Sequence, residues 1–597
     1  FYRENPDKWA HHYNRAVNNL ALYYSKINRS EEAIRLQEKN LTLCEELYKT
    51  DSDKWVEDYS RAVNNLGQYY YNVNRIEEAI KLQENNLTLC KELYKTYPDI
   101  WAEDYNRAVN NLALYYSSVD RTDEAIKLQE KNLILCEELY KVSPDRWAED
   151  YNRAVNNLAL YYSSTDRGDE AIKLQEKNLI LCEELYEIDS DKWAEDYSRA
   201  VNNLAQYYSN IDRGDDAIKL QEKNIILSQE LYKTNPDRWA EDYNRAVDNL
   251  AVLYLDVERV KEAFTLREKS LKICEEYFKN NPNEWAKSYI NSLFKLSLMY
   301  ESDKRVDEMI ALEEENNRVC EKYYNNSPNE WADDYFVALR NLALSYVDID
   351  KSKEAILLRE KNLTLCEKYY KINPEEWAKN HTDNLLELSL LYDNDDRADE
   401  VIILEKQNLV LCEKYYKINP DEWAGNYYTA LRNLALSYVD VDSIKEAILL
   451  REKNLTLCEK YYKINPEGWV QNYSGSLLDL SLLYDDSKID ETITLEKKNL
   501  SVCEKYYNND DEWAESYSTA LRNLAVSYVS INKIEQAFSL REQNLALCEK
   551  NYKNTPDIWI EDYTYALTHL ALSYRDKNQI EKAEELEEIA KINRKNL

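Results

Sequence analysis

The chain has 597 residues, a formal net charge of -35 and 32% charged residues. That charge disfavours a nucleic-acid backbone or an anionic membrane surface as main partner, and it favours solubility and attraction to basic segments. Six glycines and ten prolines leave little material for flexible linkers or glycine-built catalytic loops.

At the N-terminus, Phe1 to Lys8 (FYRENPDK) matches Leu231 to Arg238 (LYKTNPDR). Residues 1–8 therefore read as the end of a preceding second helix, and the chain as a segment of something larger at that end. From there one ruler runs through the sequence. Trp9, Trp55, Trp101, Trp147, Trp193, Trp239, Trp285, Trp331, Trp377, Trp423, Trp469, Trp513 and Trp559 follow at steps of 46, with a single step of 44 between Trp469 and Trp513. A fixed period in this range is the mark of stacked repeats, each covering the apolar face of its neighbour.

Residues 97–142 serve as the specimen. All ten prolines, Pro98 among them, fall just before the first predicted helix, where a missing N–H costs nothing. Trp101, Tyr105, Val109, Leu112, Ala113 and Tyr116 then recur at spacings of three or four, one apolar stripe. The stripe ends near Ser117, and Asp120 is expected to cap the next helix with Asp123 as its reciprocal acid. The second helix carries Ala125, Ile126, Leu128, Leu133, Leu135, Cys136, Leu139 and Tyr140. Two amphipathic helices of about twenty residues joined by a short turn pack antiparallel. Cysteine occurs once per repeat at the Cys136 position, with Ser228 in the vacant slot. That pattern reads as a small buried hydrophobe rather than a disulfide or zinc framework, and reduced thiols point to the cytoplasm. Asn40, Asn86, Asn132, Asn178 and Asn224 open a further column, read as a structural ladder between helices.

The run Leu112, Ala113, Tyr116, Ala125 resembles the tetratricopeptide pattern. The string Asn110-Asn111-Leu112-Ala113-Leu114-Tyr115-Tyr116, followed by Arg121, Glu124 and Ala125, is similar to the kinesin-light-chain subtype, with a period of 46 in place of the usual 34. The resemblance implies an all-α, right-handed superhelical solenoid of antiparallel helix pairs, with the first helix of each pair lining a concave face that holds peptides.

Carried onto this sequence, the resemblance makes the non-core positions of the first helices candidate peptide contacts. They are Arg61, Asn64, Asn65, Arg107, Asn110, Asn111, Leu114, Arg153, Asn156, Asn157, Leu160, Arg199, Asn202 and Asn203 in residues 9–284. Asparagine can hold a peptide backbone from its donor and its acceptor side. Over 285–558 the pattern becomes a 92-residue double repeat. Arg340-Asn341, Arg432-Asn433 and Arg522-Asn523 alternate with Leu386-Glu387 and Leu478-Asp479, either as a selective groove or as a relic of copying. Residues 559–597 form a capping repeat. Tyrosines such as Tyr115 and Tyr161 fall beside the stripe and would serve as anchors if exposed, although core or ridge packing is the expectation for most.

The four histidines, His11, His12, His381 and His569, show no metal spacing, and no phosphate loop or nucleophile elbow occurs. No enzyme activity, cofactor, metal site, specific small molecule, nucleic acid or membrane contact is expected. The expected function is a protein- or peptide-binding scaffold with one long groove, its ligand rich in basic residues. Two other readings stand beside it. One is a sensor arm of a larger signalling or defence protein with an ATPase or protease upstream. The other, ranked last because the C-terminal helix is polar, is a self-assembling structural solenoid.

Overall fold

The computed structural model describes residues 6–26, 29–211, 213–395, 397–507 and 511–596. Among them are 26 α-helices and two short 3-10 turns, with no strand. The chain divides into two compact units, Phe1–Asp303 and Lys304–Leu597. The division falls between the two helices of the Trp285 repeat, later than the change of pattern that begins at Trp285 itself. Within each unit every helix packs against the helix before it and the helix after it.

The local rules that build one repeat recur in all. Pro98 opens the first helix, Pro98–Ser117, as its first helical residue. Likewise Pro6 to Lys8 belong to the helix Pro6–Lys26 and not to a preceding helix, while residues 1–5 of that expectation lie outside the described residues. The cap expected at Asp120 is absent. Asp120 instead takes a left-handed φ of 58°, a conformation that Asp and Asn tolerate better than most residues. It lets Arg121 N–H close back on the Tyr116 carbonyl at 3.0 Å. Arg121 then precedes the second helix, Thr122–Val142, its guanidinium 3.9 Å from the Tyr116 ring and paired with Glu124. One of the two residues missing from the 44-residue step is lost in the turn after Leu483, where a 3-10 turn, Asp486–Lys488, leads into Ile489–Tyr507; the other is missing between Tyr507 and Trp513, a stretch that includes residues outside the described ones.

The tryptophans hold neighbouring repeats together. Trp101, Trp147, Trp193 and Trp239 are buried in the first unit. In later repeats the indole stacks on a tyrosine of the preceding second helix, as in Tyr369–Trp377 with centroids 5.0 Å apart. Burying most of one indole contributes about 4 to 6 kcal/mol on area grounds. The Tyr116 hydroxyl donates to Glu84 of the previous repeat at 2.7 Å, a bond repeated by Tyr162 to Glu130 and Tyr208 to Glu176. All eleven cysteines are free and buried, and burial pushes the Cys136 thiol up to about 12. Tyr115 and Tyr161 are buried as well, so they are core side chains and not surface anchors.

Candidate peptide-binding face

Arg107, Asn110, Asn111 and Leu114 fall at i, i+3, i+4 and i+7, one face of the first helix. In the first unit that helix touches the first helices on either side, Ser52–Asn72 and Pro144–Ser163, and Ser190–Asn210 touches Pro236–Asp256. The faces of successive first helices are therefore adjacent.

The asparagines on these faces form one hydrogen-bonded ladder with the second helices. Asn110 Oδ1 accepts from Gln129 at 2.7 Å, from Asn157 at 3.2 Å and from Asn132 at 3.4 Å, while its Nδ2 donates to Asn106 at 3.0 Å. Asn64 accepts from Gln83, Asn86 and Asn111, and Asn202 from Gln221, Asn224 and Asn249. Asn156 accepts from Gln175, Asn178 and Asn203. For Asn64, Asn110, Asn156 and Asn202 the acceptor side is thus engaged within the chain. Their carboxamide oxygens are saturated from within the chain and have no capacity left for a ligand. The second asparagines, Asn65, Asn111, Asn157 and Asn203, are half-buried and give Nδ2 to the preceding rung. Their Oδ1 atoms are the acceptors this face retains. The column from Asn40 to Asn224 belongs to the same ladder.

The arginines are exposed but matched in charge. Arg107 pairs with Asp104 at 2.7 Å, Arg153 with Asp150 at 3.5 Å and Arg199 with Asp196 at 3.3 Å. Arg61 is exposed, and its Asp58 neighbour pairs with His11 at 2.6 Å. Asp150 also accepts from Asn106 at 2.7 Å, and Asp196 from Asn152 at 3.0 Å, each bond crossing to the next repeat. Burial raises the pKa of both carboxyls against the pull of their arginines. Leu114 and Leu160 stand out to solvent, 38% and 59% exposed. They belong to a longer exposed apolar column that includes Leu22, Val252 and Leu298 in the first unit and Leu344, Leu390 and Leu436 in the second. The 46-residue ruler would have found this column had it been laid on every surface position. Arg199, Asn202 and Asn203 are brought together with Asp242, Arg245 and Asn249 in one open cleft between neighbouring first helices.

In the second unit the alternating charges neutralise each other. Arg340 reaches Glu387 of the next repeat at 3.5 Å, and Glu387 is also paired from beneath with Arg359, which is 2% exposed. Arg432 and buried Arg451 converge on Asp479 in the same way, at 3.8 and 2.5 Å. Arg522 pairs with Asp562 at 3.6 Å. Asn341, Asn433 and Asn523 are half-buried beside these arginines. Arg340 and Arg432 are thus paired across to the acidic rungs that follow them.

The source of the alternation is a second-helix column that sequence reasoning passed over. Gln37, Gln83, Gln129, Gln175 and Gln221 are succeeded by Arg267, Glu313, Arg359, Glu405, Arg451 and Glu496, all buried. Each buried cation draws an acid onto a first helix: Asp248 for Arg267, Glu387 for Arg359 and Asp479 for Arg451. Glu313 and Glu405 take a serine hydroxyl instead, from Ser345 and Ser437, both at 2.5 Å. Among the described residues no cluster of His, Cys, Asp or Glu could hold a metal ion, and no helix is long and apolar enough to cross a membrane.

The family model of the tetratricopeptide repeat matches residues 15–53, 61–99, 107–145, 153–191 and 199–237. No curated protein matches the chain. Among solved structures it is similar to BtubC (BKLC) from P. vanneervenii, at 15% identity over 41% of this chain and 90% of that one, TM-score 0.32. It is also similar to the "putative kinesin light chain nearly identical TPR-like repeats" of Podosopora anserina and to a single-substitution variant of them. Each is 19% identical over 37% of this chain and 96% of that one, with TM-scores of 0.29 and 0.30.

Proposed function

Because residues 15–237 are tetratricopeptide repeats and the same helix pair continues through the rest of the chain, we propose that this protein is a non-catalytic scaffold that binds an extended peptide segment of a partner protein along its first helices. The observation that carries the reading is the row of exposed and half-buried groups that one face presents once the ladder is satisfied. Asn111, Asn157 and Asn203 offer Oδ1 acceptors to peptide N–H groups, and Arg107, Arg153 and Arg199 offer N–H donors to peptide carbonyls. Leu114 and Leu160 are apolar anchors between the polar rungs. With each arginine balanced by an aspartate, the face selects for peptide geometry more than for charge, while the net charge of -35 steers basic segments toward it.

Selection from a displayed peptide library against the full chain tests the proposal. The comparison variant carries Arg107→Glu, Arg153→Glu, Arg199→Glu, Leu114→Asp and Leu160→Asp, which leaves the asparagine ladder intact. The expected result is enrichment of peptides combining apolar anchors with lysine or arginine, lost in a variant whose circular dichroism is unchanged. Equal enrichment by the variant would move binding off this face and refute the reading.

A further inference from the structure

One feature outside the first-helix face is unexplained by peptide binding: a break in the tyrosine column. A first-helix tyrosine stacks on a second-helix tyrosine in Tyr324–Tyr335, Tyr416–Tyr427 and Tyr462–Tyr473, with centroids 4.8 to 5.0 Å apart. Between these repeats the pair is Tyr370–His381, 5.3 Å apart and tilted by 58°. Imidazole lacks the far edge and the hydroxyl of a phenol ring. In sibling repeats that hydroxyl and a lysine both serve one glutamate. Glu321 accepts from Tyr335 at 3.1 Å and meets Lys361 at 3.4 Å. Glu459 accepts from Tyr473 at 3.5 Å and meets Lys498 at 3.2 Å. Glu367 occupies the same position, but its tyrosine has become His381 and its lysine Gln407. It keeps neither partner.

Beside this pair lies an open cavity of about 500 Å³ with mostly apolar walls, lined among others by Glu367, Tyr370, Lys371, His381, Lys406 and Gln407. His381 forms part of that wall. It is 8% exposed, its Nδ1 has no hydrogen-bond partner, and burial lowers its pKa to about 4, so the ring is neutral at neutral pH. An aromatic wall, a buried neutral imidazole and a carboxylate without the hydroxyl donor that its siblings have together suit an aromatic ring that carries a hydroxyl.

We propose that this cavity is a binding site for a phenolic ring, which packs against Tyr370 and His381 and donates its hydroxyl to Glu367. The ring would be a free small phenol or the side chain of a tyrosine in a partner peptide. A hydroxyl donating to a carboxylate is among the stronger hydrogen bonds, and it discriminates a phenol from a bare aromatic ring. Lys371 at the rim disfavours a cationic substituent. The site joins His381 of a first helix to second-helix residues such as Glu367, Tyr370 and Gln407, and it shares no residue with the proposed peptide face.

Titration of the full chain followed by saturation-transfer NMR tests this, with p-cresol, toluene and N-acetyltyrosinamide as probes. The expected result is saturable p-cresol binding, with toluene about tenfold weaker, the factor set by one charge-assisted hydrogen bond. His381→Tyr restores the residue the sibling repeats carry, so it keeps the fold, and it should abolish p-cresol binding with an undiminished melting temperature. Glu367→Gln should weaken p-cresol about tenfold and leave toluene unchanged. N-acetyltyrosinamide competing with p-cresol assigns a tyrosine side chain, and p-cresol binding without such competition assigns a free phenol. Absence of saturable p-cresol binding, or equal binding by His381→Tyr, would overturn the proposal.

Discussion

Glu405 makes the stability of the second unit depend on pH, and Glu405→Gln should remove that dependence. The residue lies in the helix Ala398–Ile418, 6% exposed, and its carboxylate receives one hydrogen bond, from Ser437 Oγ at 2.5 Å. Burial pushes its pKa up from 4.5 to about 7. The charges acting on it, Asp393 and Asp440, are both acidic and push the same way, while only Ser437 opposes. Between pH 4.5 and about 7 the folded chain holds a proton that the unfolded chain has released. Stability is therefore highest below about pH 4.5 and is lost as the pH rises through 7. The gap between the two pKa values corresponds to about 3 kcal/mol. Glutamine is the residue of the same column in the first unit, at Gln129 for example, and it can accept the Ser437 hydroxyl without a charge. The variant should gain up to about 3 kcal/mol over the parent at pH 8 and about nothing at pH 4.5. Repeat arrays open locally, so the assay is amide hydrogen exchange of the helices Ala398–Ile418 and Pro420–Asp440 in the full chain, corrected for intrinsic rates. Protection factors that respond to pH identically in parent and variant would refute the reasoning, as would a variant less protected at pH 8.

Three further outcomes are expected. Glu387→Leu leaves buried Arg359 without its carboxylate and should cost about 2 to 3 kcal/mol, discounted because Glu387 is partly exposed, whereas Arg359→Gln combined with Glu387→Asn should recover most of it. Denaturant unfolding of the two variants decides this, and an additive double variant would contradict the pairing. Asn110→Ala strands the donors of Gln129 and Asn157, while Asn132 keeps its bond to Asn106, and should cost about 2 to 3 kcal/mol, against about 0.5 kcal/mol or less for Arg107→Ala, whose ion pair is exposed. Thermal melts of the pair test the contrast, which equal losses would abolish. The eleven buried thiols should resist a water-soluble disulfide reagent in the folded chain and react as their repeats open, since burial shields them. Rapid labelling of the native protein would place at least one outside the core.

The helix pairs were legible because their determinants are local and repeated. Trp101, Pro98 and the Cys136 column each return at the same step, and a pattern recurring that often leaves no alternative register. The turn was misread at Asp120 because two physical roles compete for the same residue type: capping and left-handed φ both favour Asp and Asn, and only the three-dimensional return of Arg121 to the Tyr116 carbonyl decides between them. The face was half legible. Arg107, Asn111 and Leu114 lie where the spacing puts them, but Asn110 is claimed by Gln129 and Asn132 on another helix, a demand that no single-helix periodicity carries. The column from Gln221 to Arg267, Glu313 and Arg359 was visible as text, yet its meaning depends on burial and on the first helix across from it.

That column has a consequence for how such a chain can change its length. In the first unit the asparagine and glutamine ladder repeats every 46 residues, so the loss or gain of a single repeat brings like rungs together without conflict. The second unit repeats every 92. Excising only the Trp377 repeat would set Arg359 against the helix of Trp423, where Asn433 stands in place of Glu387. Excising only the Trp423 repeat would face Glu405 with Asp479 and with Leu483 in place of Ser437. Either junction buries an uncompensated charge, at a cost of several kcal/mol. Duplication and deletion are therefore tolerated in single steps at one end of this chain and only in double steps at the other. The electrostatics of a buried column thus sets the unit of inheritance, as a grammar sets the smallest phrase that can be copied whole.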